Sequence, residues 1–265
     1  DTSPTESGDS SSEISGRAAK GILRSAQVDA YVLENGQRRH LAGALTDDSG
    51  DFSLELGGLG QPVLLEVTPA GDGSTRMVCD AVDGCGSTGF GGPVALPGDF
   101  RLTALVAPDE LDQGAVAITP LTHLAAEWAR SLPRELNAEM VKMARRKVAG
   151  LFDLESGFAF QRVPDITGTA IAADADGQAK RHALIAAAFA EVSADSGKAV
   201  PDVLSGFSSA FRQHAGQLRN RGEFSLESLL AGAREIAERR GILTDIRDAL
   251  DGVIAGLNEG VSEVP

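Results

Sequence analysis

This 265-residue sequence predicts an α+β fold with its two kinds of structure in separate domains, an N-terminal antiparallel β-sandwich followed by an all-α helical domain. Three observations carry the prediction. Period-two alternation punctuated by Gly, Pro, Asn and Asp clusters runs from Gly21 to about Val106. Amphipathic helical stripes start at Leu121 and recur along the rest of the chain. A chain of 265 residues is also long enough for two modest domains that each bury a core. The expected divisions are a leader at 1–16, a β-sandwich at 17–108, a linker at 109–117 and a helical domain at 118–265.

The leader, DTSPTESGDSSSEISG, is almost wholly polar, too poor in apolar area to offset the entropy of ordering itself. It reads as disordered, or as a segment docked on a partner. The first strand is Gln27 to Leu33, where Val28, Ala30 and Val32 alternate with Gln27, Asp29 and Tyr31. Asn35-Gly36 follows as a hairpin signal, because both central positions of such a turn need positive φ. Phe52 to Leu56 alternates likewise, Pro62 to Thr68 is nearly continuously apolar, and Phe100 to Val106 closes the series.

After Pro108 the period changes. Thr119 reads as an N-cap with Pro120 at the first helical position, ahead of a stripe of Leu121, Leu124, Ala125, Trp128 and Leu132. Similar stripes run through Leu136, Met140, Met143, Ala144 and Leu151, through Leu184, Ile185, Ala188, Phe189 and Val192, and through Leu204, Phe207, Phe211 and Leu218. Two more helices are expected at Ser225 to Arg240 and Thr244 to Asn258, with Gly241 as the stop between them. The segment from Gly157 to about Gly177 has no clear period. Loops of that length usually carry function or wrap a partner.

The runs GILRSAQVDAYVL, TDDSGDFSLEL and VLLEVT together resemble the carboxypeptidase-regulatory-like or transthyretin-like sandwich domains of exported bacterial proteins. That resemblance implies a non-catalytic β-module for spacing, adhesion or assembly, here with an inserted loop at Cys79 to Gly92. The TPLTHLAAEWA segment resembles a TPLT-x-LA motif of exported bacterial proteins that carry a sandwich ahead of a helical region. The leader is similar to the spacer behind the acylated cysteine of bacterial lipoproteins, but no cysteine stands at position 1, so any lipid anchor is removed or absent.

Acids outnumber bases 38 to 24, a formal charge of −14 that repels phosphate backbones and anionic lipid alike. Nucleic acid is therefore excluded as a partner, and the KMARRK run at Lys142 to Lys147 reads as a solvated helix flank. The two cysteines, Cys79 and Cys85, lack the further ligands that zinc needs, and their Cys-x5-Cys spacing is not that of a redox pair. A structural disulfide in an oxidising compartment is the preferred reading, worth about 2 kcal/mol on chain-entropy grounds, with two inert thiols as the alternative. GCGSTG at Gly84 to Gly89 matches a dinucleotide fingerprint in letters only, since FGGPVALPG after it cannot start a helix.

Calcium is suggested by DDSGD at Asp47 to Asp51 and DADG at Asp174 to Gly177, yet an EF-hand starting at Asp174 would put Ile185 where glutamate is needed. DDSGD is more economically a turn. No nucleophile elbow occurs, and His123 sits near a helix start, where the dipole favours the neutral ring. No cofactor is expected, and the protein is read as a non-enzyme. The expected function is that of an exported structural or assembly protein of the cell surface, periplasm or extracellular space, self-associating through a leader that adds a strand to a neighbour's sheet edge. The alternative is a periplasmic or surface protein that binds a small ligand or carbohydrate, with Trp128, His123 and the 157–177 loop at the pocket.

Overall fold

In the computed structural model, residues 12–34, 36–168, 176–241 and 251 are described. The expected mixture is present, with strands mainly in the N-terminal half and helices after them. Among the described residues ten strands form three sheets: β1 (Ser12–Ala18), β2 (Leu23–Arg24), β3 (Ala26–Glu34), β4 (Gln37–Leu45), β5 (Asp51–Leu56), β6 (Val63–Pro69), β7 (Arg76–Val78), β8 (Pro93–Ala95), β9 (Leu102–Val106) and β10 (Val116–Ile118). The sheet orders are β10-β1-β5, β2-β7-β8 and β4-β3-β6-β9. Every strand pair is antiparallel except β1 with β10, which runs parallel.

Alternation succeeds where it was clearest. In β3, Ala26, Val28, Ala30 and Val32 are fully buried while the residues between them are half-exposed. Glu34 pairs with Gln37 across the turn, and Gly36 takes φ +77° there, while Asn35 lies outside the described residues. The continuous apolar runs of β6 and β9 also have a cause. Helix α1 (Pro120–Ser131) packs against β9, so these strands are covered on both faces.

Two expected boundaries are corrected. The leader is shorter than 1–16, because β1 begins at Ser12 and pairs with β5 from Ser12↔Leu56 to Arg17↔Asp51. Ile14 is its buried anchor, and Gly16 permits the close approach of β10, since a Cβ there would sit 2.2 Å from the Val116 carbonyl oxygen. Residues 109–117 are no free linker either: a 3-10 turn occupies Pro108–Glu110 and β10 starts at Val116. Only three residues of β10 pair, too few for a sequence period to register.

The helices that follow are α2 (Ala138–Leu151), α3 (Gly177–Ser196), α4 (Val200–Gln213) and α5 (Leu226–Arg240). Thr119 caps α1 with Pro120 behind it, and Gly241 stops α5 at φ +62°. The expected Thr244 to Asn258 helix falls outside the described residues apart from Asp251. Leu218, read onto the fourth stripe, lies beyond the end of α4, although it is buried. Helix α3 is buried on more than one stripe, with Ala183, Ala186, Ala187 and Ala190 as deep as Leu184 and Phe189, because α1, α4 and α5 surround it. One continuous apolar core joins the halves, running from Val28, Leu65 and Leu102 through Leu121 and Leu124 to Phe189, Phe207 and Leu229.

Residues 157–168, the first part of the 157–177 segment, pack on the β-half. Arg17 joins Asp51 at 2.7 Å and donates to the Val163 carbonyl at 2.9 Å, and Arg162 reaches the same Asp51 at 2.6 Å. Residues 169–175, including Asp174, lie outside the described residues, while Asp176 caps α3 by accepting from the Ala179 N–H at 2.7 Å. DDSGD is a turn, with Asp47 Oδ1 accepting from the backbone of Ser49 and Asp51 and Gly50 at φ +76°.

Candidate functional site

Two helices turn polar stripes toward a common cleft. Helix α1 presents His123, Glu127 and Arg130, spaced i, i+4, i+7, and α4 presents Ser205, Ser208 and Arg212, spaced i, i+3, i+7. Their other faces are the apolar stripes that seat both helices in the core, so the polar residues have one place to converge. Arg38 from β4 and Arg101 from the turn before β9 complete a cavity of about 290 Å³.

Charge is gathered here against the trend of the whole chain. Among the described residues, four arginines line the cavity with two acids, Asp99 and Glu127, in a molecule of charge −14. Buried Glu66 lies beneath two of them, 2.9 Å from Arg38 Nη1 and 3.1 Å from Arg101 Nε. Glu127 engages Arg130 at 2.8 Å. Arg212 forms no ion pair among the described residues. A guanidinium has five N–H donors, so each engaged arginine keeps donors free of its carboxylate.

Of the two residues expected at a pocket, His123 lines the cleft and Trp128 does not. His123 is 8% exposed, and its Nδ1 lies 2.9 Å from Thr103 Oγ1 on β9. Burial, reinforced by Arg130, Arg101 and Arg212 and opposed by Glu127, pushes its pKa down to about 4. Its neutrality was expected from the helix dipole, yet burial is the principal cause. Trp128 is a core residue, set edge-on to Phe211 at 6.0 Å with Lys147 over its ring at 5.3 Å. Ser208, which the sequence reading passed over, is 4% exposed, and its Oγ has no hydrogen-bond partner among the described residues. Residues 157–168 of the 157–177 loop, clamped to Asp51 through Arg162, are not part of the cleft wall.

His182 plays a structural part. Its Nε2 pairs with Thr119 Oγ1 at 2.8 Å, its ring stands edge-on to Phe158 at 5.1 Å, and burial pushes its pKa down to about 3 against a weaker pull from the Phe158 backbone. The KMARRK flank is not wholly solvated, because Arg145 is buried against Glu110 and lies over the Phe160 ring at 4.8 Å.

Cys79 and Cys85 form the expected disulfide, with sulfurs 2.12 Å apart and Cα atoms 5.8 Å apart. The loop is pinned by backbone bonds between Cys79 and Gly91 and Gly92, and no helix follows GCGSTG. Beneath it Lys20 and Asp80 form a buried ion pair at 2.7 Å, and Glu191 on α3 accepts from the Val82 N–H at 2.6 Å. Burial first, then Glu235, Asp80 and Asp195, pushes the Glu191 pKa up to about 6 despite the Val82 bond. A second, apolar groove of about 570 Å³ lies between this loop and the α3–α4 junction. Its one charged lining residue, Lys198, is engaged with Glu223. No group of three or more His, Cys, Asp or Glu among the described residues is placed to hold a metal ion, and no described helix is long and apolar enough to cross a membrane.

Compared with known proteins, the chain matches no family model, no curated protein and no solved structure.

Proposed function

We propose that this chain is an exported, non-enzymatic binding protein that holds a small polar ligand in the cleft between β4, α1 and α4. The single observation that carries this is Ser208 Oγ, a buried hydroxyl bordering the cavity with no partner among the described residues. An unpaired buried hydroxyl costs about 1–3 kcal/mol, and a ligand that satisfied it would recover much of that. Export is supported by the disulfide and by the resemblance of the strand runs to sandwich modules of exported proteins. On this reading the β10-β1-β5 and β4-β3-β6-β9 sheets form a sandwich, since residues of both, Leu54 and Leu65 among them, belong to one core.

A panel of small sugars, amino acids, carboxylates and phosphate esters, read by thermal shift and then by calorimetry, tests the proposal. A ligand present at a hundredfold its dissociation constant adds about 2.7 kcal/mol of stability, about 5–10 °C for a chain of this size. Stabilisation by one class, lost in Ser208→Ala, is the expected outcome. No shift with any class would end the reading.

A second reading, assembly of copies, is favoured by β4, which has no strand partner on its outer side among the described residues. Arg38 and Arg39 along it are the charges that commonly keep such edges apart, which ranks this reading second. Its test is removal of residues 1–11, which spares β1; unchanged sedimentation would dispose of a leader-mediated polymer.

A further inference from the structure

We propose that the ligand of this cleft is an oxyanion, a phosphate, sulfate or carboxylate group on a small body, and that Thr103 fixes His123 as a neutral donor toward it. This rests on the cleft being a binding site, as proposed above.

The tautomer of His123 turns on one hydrogen. Thr103 is fully buried, and its hydroxyl has one hydrogen-bond partner among the described residues, His123 Nδ1 at 2.9 Å. If Nδ1 carried the ring proton, the hydroxyl hydrogen would have no acceptor in a dry environment. The hydroxyl therefore donates, Nδ1 accepts, and the proton of the neutral ring sits on Nε2. That nitrogen has no partner among the described residues, and the ring borders the cavity. Thr103 is held in turn: the Thr122 hydroxyl, one residue before His123 on α1, lies 3.2 Å from its carbonyl oxygen.

With the tautomer set, the unpartnered polar groups at the cleft, the exposed Asp99 apart, can all donate. Ser208 offers its O–H, His123 its Nε2–H, and Arg212 a guanidinium without an ion pair among the described residues. Arg38, Arg101 and Arg130 add the N–H groups that Glu66 and Glu127 leave over. The acids at the site are already occupied or, like Asp99, exposed. A cation would meet the combined repulsion of these arginines. A neutral polyol could take the hydrogen bonds but would gain nothing from the charge. An oxyanion uses both, through the charge-assisted bonds that guanidinium groups make with planar or tetrahedral oxygens.

Inorganic phosphate and sodium sulfate are the probes, with glycerol as the neutral control, followed by histidine 15N–1H spectra of the intact protein at pH 7. Expected are an Nε2–H pattern for His123, a phosphate-dependent shift of that resonance, and affinity that falls as salt rises. Arg212→Gln and Ser208→Ala should each weaken phosphate binding about tenfold, Arg212→Gln at unchanged melting temperature and Ser208→Ala at a raised one, because it removes an unpaired buried hydroxyl. Thr103→Val should admit the second tautomer and weaken binding, and that spectral signature separates a positioning role from a structural one. An Nδ1–H pattern in the wild-type protein, or binding of neutral ligands with no response to phosphate or sulfate, would overturn the inference and leave the binding reading standing. Silence of the cleft toward every class would remove both.

Discussion

Acidification should unfold this protein through its histidines. His123 and His182 are buried neutral rings with pKa values pushed down to about 4 and about 3, against an ordinary value of 6.5. A base depressed in the folded state contributes stability above its unfolded pKa, and that stability drains away as pH falls toward the folded value. Between pH 7 and 4.5 each ring therefore loses about 2.6 kcal/mol, about 5 kcal/mol together. Glu191 works the other way. Its folded pKa of about 6 exceeds the ordinary 4.5, so the native state binds its proton first and gains about 1.6 kcal/mol over the same range. The histidines win, leaving a net loss of about 3–4 kcal/mol, or about 10 °C in melting temperature. Calorimetry at pH 7, 5.5 and 4.5, alongside NMR titration of both imidazoles, measures it. Stability that holds or rises across that window, or imidazoles that titrate near 6.5 in the folded protein, would refute the reasoning.

Lys20→Met strands the Asp80 carboxylate in the interior and should cost about 3–5 kcal/mol in urea unfolding, while the double change Lys20→Met with Asp80→Leu recovers most of the loss. Gly16→Ala drives a Cβ onto the Val116 carbonyl and the Phe52 ring, neither of which can retreat far, and should cost at least about 3 kcal/mol by thermal melting. Trp128→Ala should cost about 3–5 kcal/mol of stability and leave phosphate affinity in the folded fraction unchanged, since the ring touches the core rather than the cleft. Under native, non-reducing conditions a thiol reagent should label neither Cys79 nor Cys85, and mass spectrometry of the treated protein decides it.

Local chemistry was readable ahead of the structure where one short stretch determines it. The alternation of β3, the Thr119-Pro120 start of α1, the Gly241 stop of α5 and the seven-residue disulfide loop are all set by neighbours in sequence. What escaped depends on partners far along the chain. β1 is polar enough to pass for a tether, and it is ordered because β5 and β10 flank it. The cleft escaped for a related reason. Polar residues at helical spacing look like a solvated face, and nothing local in α1 says that α4 and two strand arginines will enclose that face. Trp128 and His123, both expected at the pocket, share helix α1. Five residues apart on a 3.6-residue turn, they point in different directions, one to the core and one to the cavity.

The middle position of β1 also dictates an order of events. Its parallel neighbour is supplied by residues 116–118, so a strand that emerges early must wait about a hundred residues for its second flank. Closing so long a loop is entropically slow, and contacts of such range lower folding rates. During synthesis residues 12–115 therefore emerge without a completed β1 sheet, which closes only as the turn into α1 appears.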